Sequence, residues 1–222
     1  WIVRFSVAYN PNVSSEILAS LARDPRADVR GAVATRHHTP APSLAALSRD
    51  REREVRRGLS WNPNVPPRTL ADVAEWWIAD TEEAGEWDIA LVGIAGNPGT
   101  PTATLERLAN LRGSGSWEIR GAAASNPNTP EPTRAQAISR LARESFYRSR
   151  IEAAKNPATP VDMLRSLASD ADDEVRKAAI ENPSTPLAVL IAATFTPPGG
   201  IYGHERSSLA ASSTSGSLRS TK

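Results

Sequence analysis

The chain of 222 residues contains no cysteine, a single methionine and three histidines. Without thiols it forms no disulfide, no thiolate zinc site and no cysteine-ligated iron–sulfur cluster, and it offers no cysteine nucleophile. Two of the histidines, His37 and His38, are neighbours, which argues against a multi-histidine metal site. No uninterrupted apolar run reaches the roughly 20 residues that a membrane-spanning helix needs. The opening "WIVRFSVAYN" does not resemble a signal peptide. These absences predict a reduced, cytoplasmic protein with no membrane partner and no bound cofactor. Charge of one sign is also missing: 26 Lys and Arg face 25 Asp and Glu, a formal net charge of +1. Composition therefore provides no field that would attract nucleic acid.

What the chain does have is a recurring asparagine. Asn-Pro occurs at Asn10, Asn62, Asn97, Asn126, Asn156 and Asn182, with a degenerate copy at Arg36 in "RHHTP". Successive spacings are 26, 26, 35, 29, 30 and 26 residues. A period near 26 with insertions is what a stacked solenoid gives, each unit being one short supersecondary element.

Other side chains keep register with this anchor. Eight residues after it stand Leu18, Leu44, Leu70, Leu105, Leu164 and Leu190, with Arg134 as the exception. Three residues further come Leu21, Leu47, Val73, Leu108 and Leu167, so each anchor precedes a helix with one buried face. Thr-Pro at Thr39, Thr100, Thr129, Thr159 and Thr185 predicts a threonine N-cap followed by proline in the first turn. Six residues before the anchor lies an arginine in Arg4, Arg30, Arg56, Arg120, Arg150 and Arg176, with Leu91 the exception. Small residues follow it, as in "RGAVA" and "RGAAA", and suit close helix approach. This second helix ends at the asparagine, because a residue preceding proline is driven out of the α region. Asp24, Asp50 and Asp170 stand six residues before their arginines. The expectation is that Asp caps the second helix and Arg links neighbouring repeats, a structural ladder rather than a binding one.

The combined pattern "NP.TP...L..L..D....VR.AA..NP" resembles the variant leucine-rich repeat family, related in plan to HEAT and armadillo repeats, over about residues 3 to 190. The resemblance implies an all-α, right-handed superhelical solenoid of helical hairpin repeats, with one element per repeat short and 3₁₀-like. A relative in that family carries a cysteine-ligated iron–sulfur module. With no cysteine here, that cofactor does not carry over.

The register divides the chain into a repeat domain, residues 1–195, and a Ser/Gly/Pro-rich tail, residues 196–222, expected to be disordered. The repeat domain begins and ends mid-repeat, with a last helix expected at about Pro186 to Phe195, which reads as a segment of a longer array. The third repeat is the irregular one. It is the longest and lacks the register arginine, and Trp61, Trp76, Trp77 and Trp87 belong to it. Residues 69–118 hold nine acids against two arginines, whereas residues 1–68 hold eleven arginines and six acids. This polarity suggests separate electrostatic surfaces. Since adjacent Trp76 and Trp77 do not both face inward, Trp61, Trp76, Trp77 and Trp87 with Glu82, Glu83 and Glu86 form the candidate interaction patch.

Catalytic signals are thin. Glu82, Glu83, Glu86 and Asp88 fit a solvated helix face better than paired catalytic carboxylates. "GNPGT" is the anchor with a glycine in it, and "RGSGS" at 112–116 is a flexible turn with no strand before it, so neither is a phosphate loop. The expected function is a non-enzymatic scaffold that binds a protein or peptide along the repeat surface. The alternative is a nucleic-acid-binding solenoid using Arg49, Arg51, Arg53, Arg56 and Arg57, a basic stretch diluted by Asp50, Glu52 and Glu54.

Overall fold

The computed structural model describes residues 1–84, 89–113 and 115–195. Among these residues the chain is all-α, with fourteen helices and no strand. They run α1 (Ile2–Tyr9), α2 (Ser15–Leu21), α3 (Ala27–Ala34), α4 (Ala41–Leu47), α5 (Arg53–Ser60), α6 (Pro67–Ala84), α7 (Ile89–Gly96), α8 (Thr102–Ala109), α9 (Trp117–Ser125), α10 (Glu131–Leu141), α11 (Tyr147–Lys155), α12 (Val161–Leu167), α13 (Asp173–Glu181) and α14 (Leu187–Phe195). The sequence tail at 196–222 lies outside the described residues.

Odd-numbered helices pack in succession, α1 on α3, α3 on α5 and so on to α13, while the even-numbered helices α2 to α12 each pack on the odd one that follows and α14 packs on α13. Their contact faces are built from small side chains: Ala32, Val33 and Ala34 in α3, Ala123 and Ala124 in α9, Ala153 and Ala154 in α11, Ala178 and Ala179 in α13, all buried. The even helices bring leucines to the same core, with Leu18, Leu44, Leu70, Leu105 and Leu164 inaccessible to solvent. Leu190 departs from that register. It is half-buried, and its neighbour Val189 takes the inward position. In the repeat that carries Arg134 in place of leucine, α10 is longer, and Ala137, Ile138 and Leu141 fill the core instead. Arg134 folds back to donate to the carbonyls of Asn126, Pro127 and Thr129 at 3.2, 3.2 and 3.0 Å. The short helices α2, α4 and α12 have seven residues each but are α-helical, not 3₁₀.

Four of the asparagine anchors end their helices as expected: Asn10, Asn126, Asn156 and Asn182 are C-cap residues with extended backbone, while Trp61 takes that place before Asn62. The asparagine side chain then does two things. The Oδ1 atom accepts from the backbone N–H two residues on, at 2.9 Å for Asn62 and Asn97 and 3.0 Å for Asn126, closing the turn. The Nδ2 atom reaches back into the preceding repeat. Asn62 donates to the carbonyls of Ala34 and Arg36 at 2.8 and 2.9 Å, Asn126 to Ala95 and Asn97 at 2.8 and 2.9 Å, and Asn182 to Ala154 and Asn156 at 2.6 and 2.8 Å. Asn97 reaches the carbonyl of Asn62, and Asn156 the hydroxyl of Ser125. A row of buried amides thus joins each repeat to the one before, from Asn62 onward, and satisfies helix-end carbonyls that would otherwise be orphaned.

Two expectations about the turns are corrected. The threonines do not cap the next helix. Thr39, Thr100, Thr129, Thr159 and Thr185 donate their hydroxyls backward to the carbonyls of Val33, Ile94, Ala123, Ala153 and Ala179, six residues earlier. Proline is the N-cap instead, at Pro40, Pro101, Pro130 and Pro160, each in extended geometry just before the first helical residue. The hydroxyl adds a second hydrogen bond to a last-turn carbonyl that already accepts from the anchor's backbone N–H, as Val33 does from Arg36 at 3.0 Å and Ile94 from Asn97 at 3.1 Å. The aspartates likewise sit before the cap. Asp24, Asp50 and Asp170 accept from the N–H of Arg26, Glu52 and Asp172, and of these residues Asp172 caps a helix with its own carboxylate.

Candidate functional site

The arginine ladder fixes the background against which any site must be read. Arg30 and Arg150 each span two repeats. Arg30 donates to the carbonyls of Asp24 and Pro25 within its own turn at 2.8 and 3.1 Å. It also forks onto the Asp50 carboxylate of the next repeat at 2.6 and 3.0 Å. Arg150 repeats the arrangement with Glu144, Ser145 and Asp170, and Arg4 pairs with Asp24. The carboxylate partner is therefore the acid twenty residues after the arginine, not the one six before it. These bidentate pairs set the proton affinities. The hydrogen bond from Arg4 is the largest influence on Asp24 and holds its carboxyl below the ordinary value. Burial works to raise Asp50, but the Arg30 hydrogen bond, the Glu52 N–H and the Arg30 charge outweigh it, so Asp50 also sits low.

The ladder breaks at the third repeat, and the candidate patch stands at the break. Leu91 occupies the register position of arginine and is fully buried. Twenty residues after Arg56, where the ladder acid would stand, is Trp76. Arg56 donates to the Asp50 carbonyl at 2.5 Å and lays its guanidinium over the Trp76 ring, 3.9 Å from the centroid. Burial is the largest influence on Arg56 and lowers its pKa, against the charges of Asp50 and Asp80, and the ring face of Trp76 adds a cation–π contact. Arg53 pairs with Asp80 at 2.6 Å and lies 4.9 Å from the Trp77 ring, and Arg57 pairs with Glu54 at 3.0 Å. Arg107 of α8 pairs with Glu75 of α6. The basic and acidic stretches are thus not separate surfaces here: arginines of α5 are packed on the tryptophans and acid of α6, which screens three of the five cations in 49–57.

The tryptophans divide by burial. Trp77 is fully inside and belongs to the core, which corrects its assignment to the interaction patch; its ring meets Trp76 edge-on at 4.8 Å. Trp76 is half-buried beneath Arg56. Trp61 is 55% exposed as the C-cap residue of α5 and rests on the backbone of α7. A Cβ added to Gly93 would stand 2.8 and 2.9 Å from the Trp61 ring, so that ring position requires glycine beneath it. Glu82 and Glu83 lie on the last turn of α6, and their side chains, with Glu86 and Trp87, lie outside the described residues. His37 and His38 are exposed on their turn, as expected. Among the described residues no group of three or more His, Asp or Glu side chains is placed to hold a metal, and no helix is long and apolar enough to cross a membrane.

A second feature went unnoticed in the sequence. Between the linker after α8 and the linker after α10 lies an open cleft of about 680 Å³, lined by Arg112, Gly113, Arg120, Arg140 and Phe146 among others. Two departures from the repeat meet there. The linker holds Gly113 at φ 112, a left-handed conformation that favours glycine, and Glu144 replaces the ladder aspartate opposite Arg120. Those departures were the only available signal, because the lining residues come from three separated segments and carry no motif. Comparison with protein-family models, with curated proteins and with solved structures finds no match to this chain.

Proposed function

We propose that the chain is a non-enzymatic repeat scaffold, an α-solenoid of the variant leucine-rich repeat type, that binds a protein or peptide on the surface around Trp61. The observation that carries this reading is the position of Trp61. The array repeats one joint from unit to unit, and where the arginine ladder fails it presents a large aromatic ring, 55% exposed, on a glycine platform. Exposed tryptophan is costly to leave in water and is favoured at binding anchors. Trp76, held by Arg56, flanks the same break. Nucleic acid is the weaker reading, since Arg53, Arg56 and Arg57 already pack against α6 or pair with acids.

The test is affinity capture from cell extract on the immobilised chain, compared with Trp61→Ala and with an exposed control, Arg68→Ala. Loss of specific partners in Trp61→Ala alone supports the surface. Identical partner sets, with circular dichroism showing all three proteins folded, would end it.

A further inference from the structure

The cleft beside Gly113 combines cationic and apolar walls in a way the ladder does not require. Arg120, only 2% exposed, pairs with Glu144 and donates to the Leu111 carbonyl at 3.0 Å, and its buried Nε–H has no hydrogen-bond partner. Around this neutralised pair stand two further guanidinium groups. Arg112 is exposed on the linker after α8. Arg140 is half-buried in the last turn of α10 and makes one long hydrogen bond, 3.4 Å, to the carbonyl of Asn110. Among the described residues neither pairs with a carboxylate. The cleft therefore carries two uncompensated positive charges. Its remaining wall is apolar: Leu111 is buried, and Phe146, 43% exposed, is braced edge-on by Trp117 at 5.6 Å and Tyr147 at 5.5 Å.

We propose that this cleft receives the C-terminal residue of a peptide, its carboxylate between Arg112 and Arg140 and its apolar side chain against Leu111 and Phe146. Guanidinium groups match a carboxylate in planar, charge-assisted geometry. An aromatic wall in the same cleft as two cations selects an anion attached to an apolar group over a bare anion. The Arg4–Asp24, Arg30–Asp50 and Arg150–Asp170 rungs each bring one arginine to one carboxylate, and the two further guanidinium groups at the Arg120 rung distinguish it from them. The inference rests on the scaffold reading only in taking the ligand to be a polypeptide.

The test uses N-acetyl-L-leucine as the chain-end mimic, titrated into isotope-labelled full-length chain and followed by the Gly113 amide and arginine Nε–H resonances. Saturable shifts with Kd on the order of 1 mM are expected for a ligand of this size. N-acetyl-leucinamide, which lacks the charge, should shift these signals at least tenfold more weakly, and so should inorganic phosphate, which lacks the side chain. Arg140→Gln and Arg112→Gln, both outside the core, should each weaken binding about tenfold, the loss of one charge-assisted pair. Equal response to the amide, equal response to phosphate, or no localised shift at 50-fold the expected Kd each overturns the proposal. Failure of the Trp61 capture leaves this titration unaffected, so the two readings fall separately.

Discussion

Replacing Asn126 with alanine tests whether the buried amide row joins the repeats or merely decorates them. Asn126 is 2% exposed, and its side chain makes three hydrogen bonds: Nδ2 to the Ala95 and Asn97 carbonyls and Oδ1 from the Asn128 N–H. They are not equal losses. The Asn97 carbonyl still accepts from Thr100 N–H at 3.1 Å, and the exposed Asn128 turn can turn to water. The Ala95 carbonyl is buried at a helix end and loses a partner it does not replace. One orphaned carbonyl at about 1–3 kcal/mol, plus two ordinary bonds nearer 0.5–1 kcal/mol each, gives about 3 kcal/mol. For a chain of this size that corresponds to a fall of about 6–12 °C in the unfolding midpoint. Asn10→Ala is the matched control. Asn10 is exposed and makes only the local bond to the Asn12 N–H at 2.9 Å, so its loss should cost about 1–3 °C. Asn126→Asp should be worse than alanine, because it sets a buried carboxylate against two carbonyl oxygens. The assay is thermal unfolding by circular dichroism at pH 7, side by side. Should Asn126→Ala unfold within about 1 °C of Asn10→Ala, the joint is made by apolar packing and the amide row contributes nothing to it.

Three further outcomes are expected. Asp50→Asn should flatten the acid limb of stability: the folded carboxyl lies below its ordinary value of 3.8, so its contribution is complete above that value and lost as pH falls beneath it; a urea midpoint series from pH 7 to pH 2 that runs parallel to the parent would refute this. Glu152 behaves in the opposite sense, its pKa raised above 4.5 chiefly by burial, so that ionisation costs stability as pH rises through that region. Glu152→Gln should therefore be more stable than the parent at pH 7 and nearly equal at pH 4, again by urea midpoint. Gly93→Ala should destabilise by about 1–3 kcal/mol through overpacking against Trp61; in a Trp61→Ala background the cost should shrink or reverse, since alanine is the better helix former by about 1 kcal/mol, and a double-mutant cycle that shows simple additivity would refute the contact.

The helices were legible because two periodicities coincide at one anchor: apolar residues eight and eleven positions after most of the asparagines, arginines six before most of them. The proline that follows told where the helix must stop. The reach of Asn62 to Ala34 and Arg36 was not legible, since a contact across 26 to 28 residues depends on how the turns superpose in space. Threonine before proline looked like a cap because capping is the commoner use of that hydroxyl. The choice between an N–H ahead and a carbonyl behind is decided by the chain's direction at the turn. Adjacency alone showed that Trp76 and Trp77 part company, but not which one enters the core. The cleft was hidden most deeply, because Arg112, Arg140 and Phe146 are unremarkable until α8 and α10 bring their linkers together.

The amide row also bears on how such an array grows. Asn62, Asn126 and Asn182 bind main-chain oxygens of the preceding unit, and every residue type supplies those alike. At these three joints the asparagine is blind to its neighbour's side chains, whereas Asn156 depends on the Ser125 hydroxyl, so a unit seated by main-chain oxygens can be exchanged without changing that contact. The Arg30–Asp50 and Arg150–Asp170 pairs are not blind in this way, because each needs a donor on one unit and an acid on the next. Asparagine makes such units interchangeable, and the arginine–aspartate pairs record which ones have stayed beside each other.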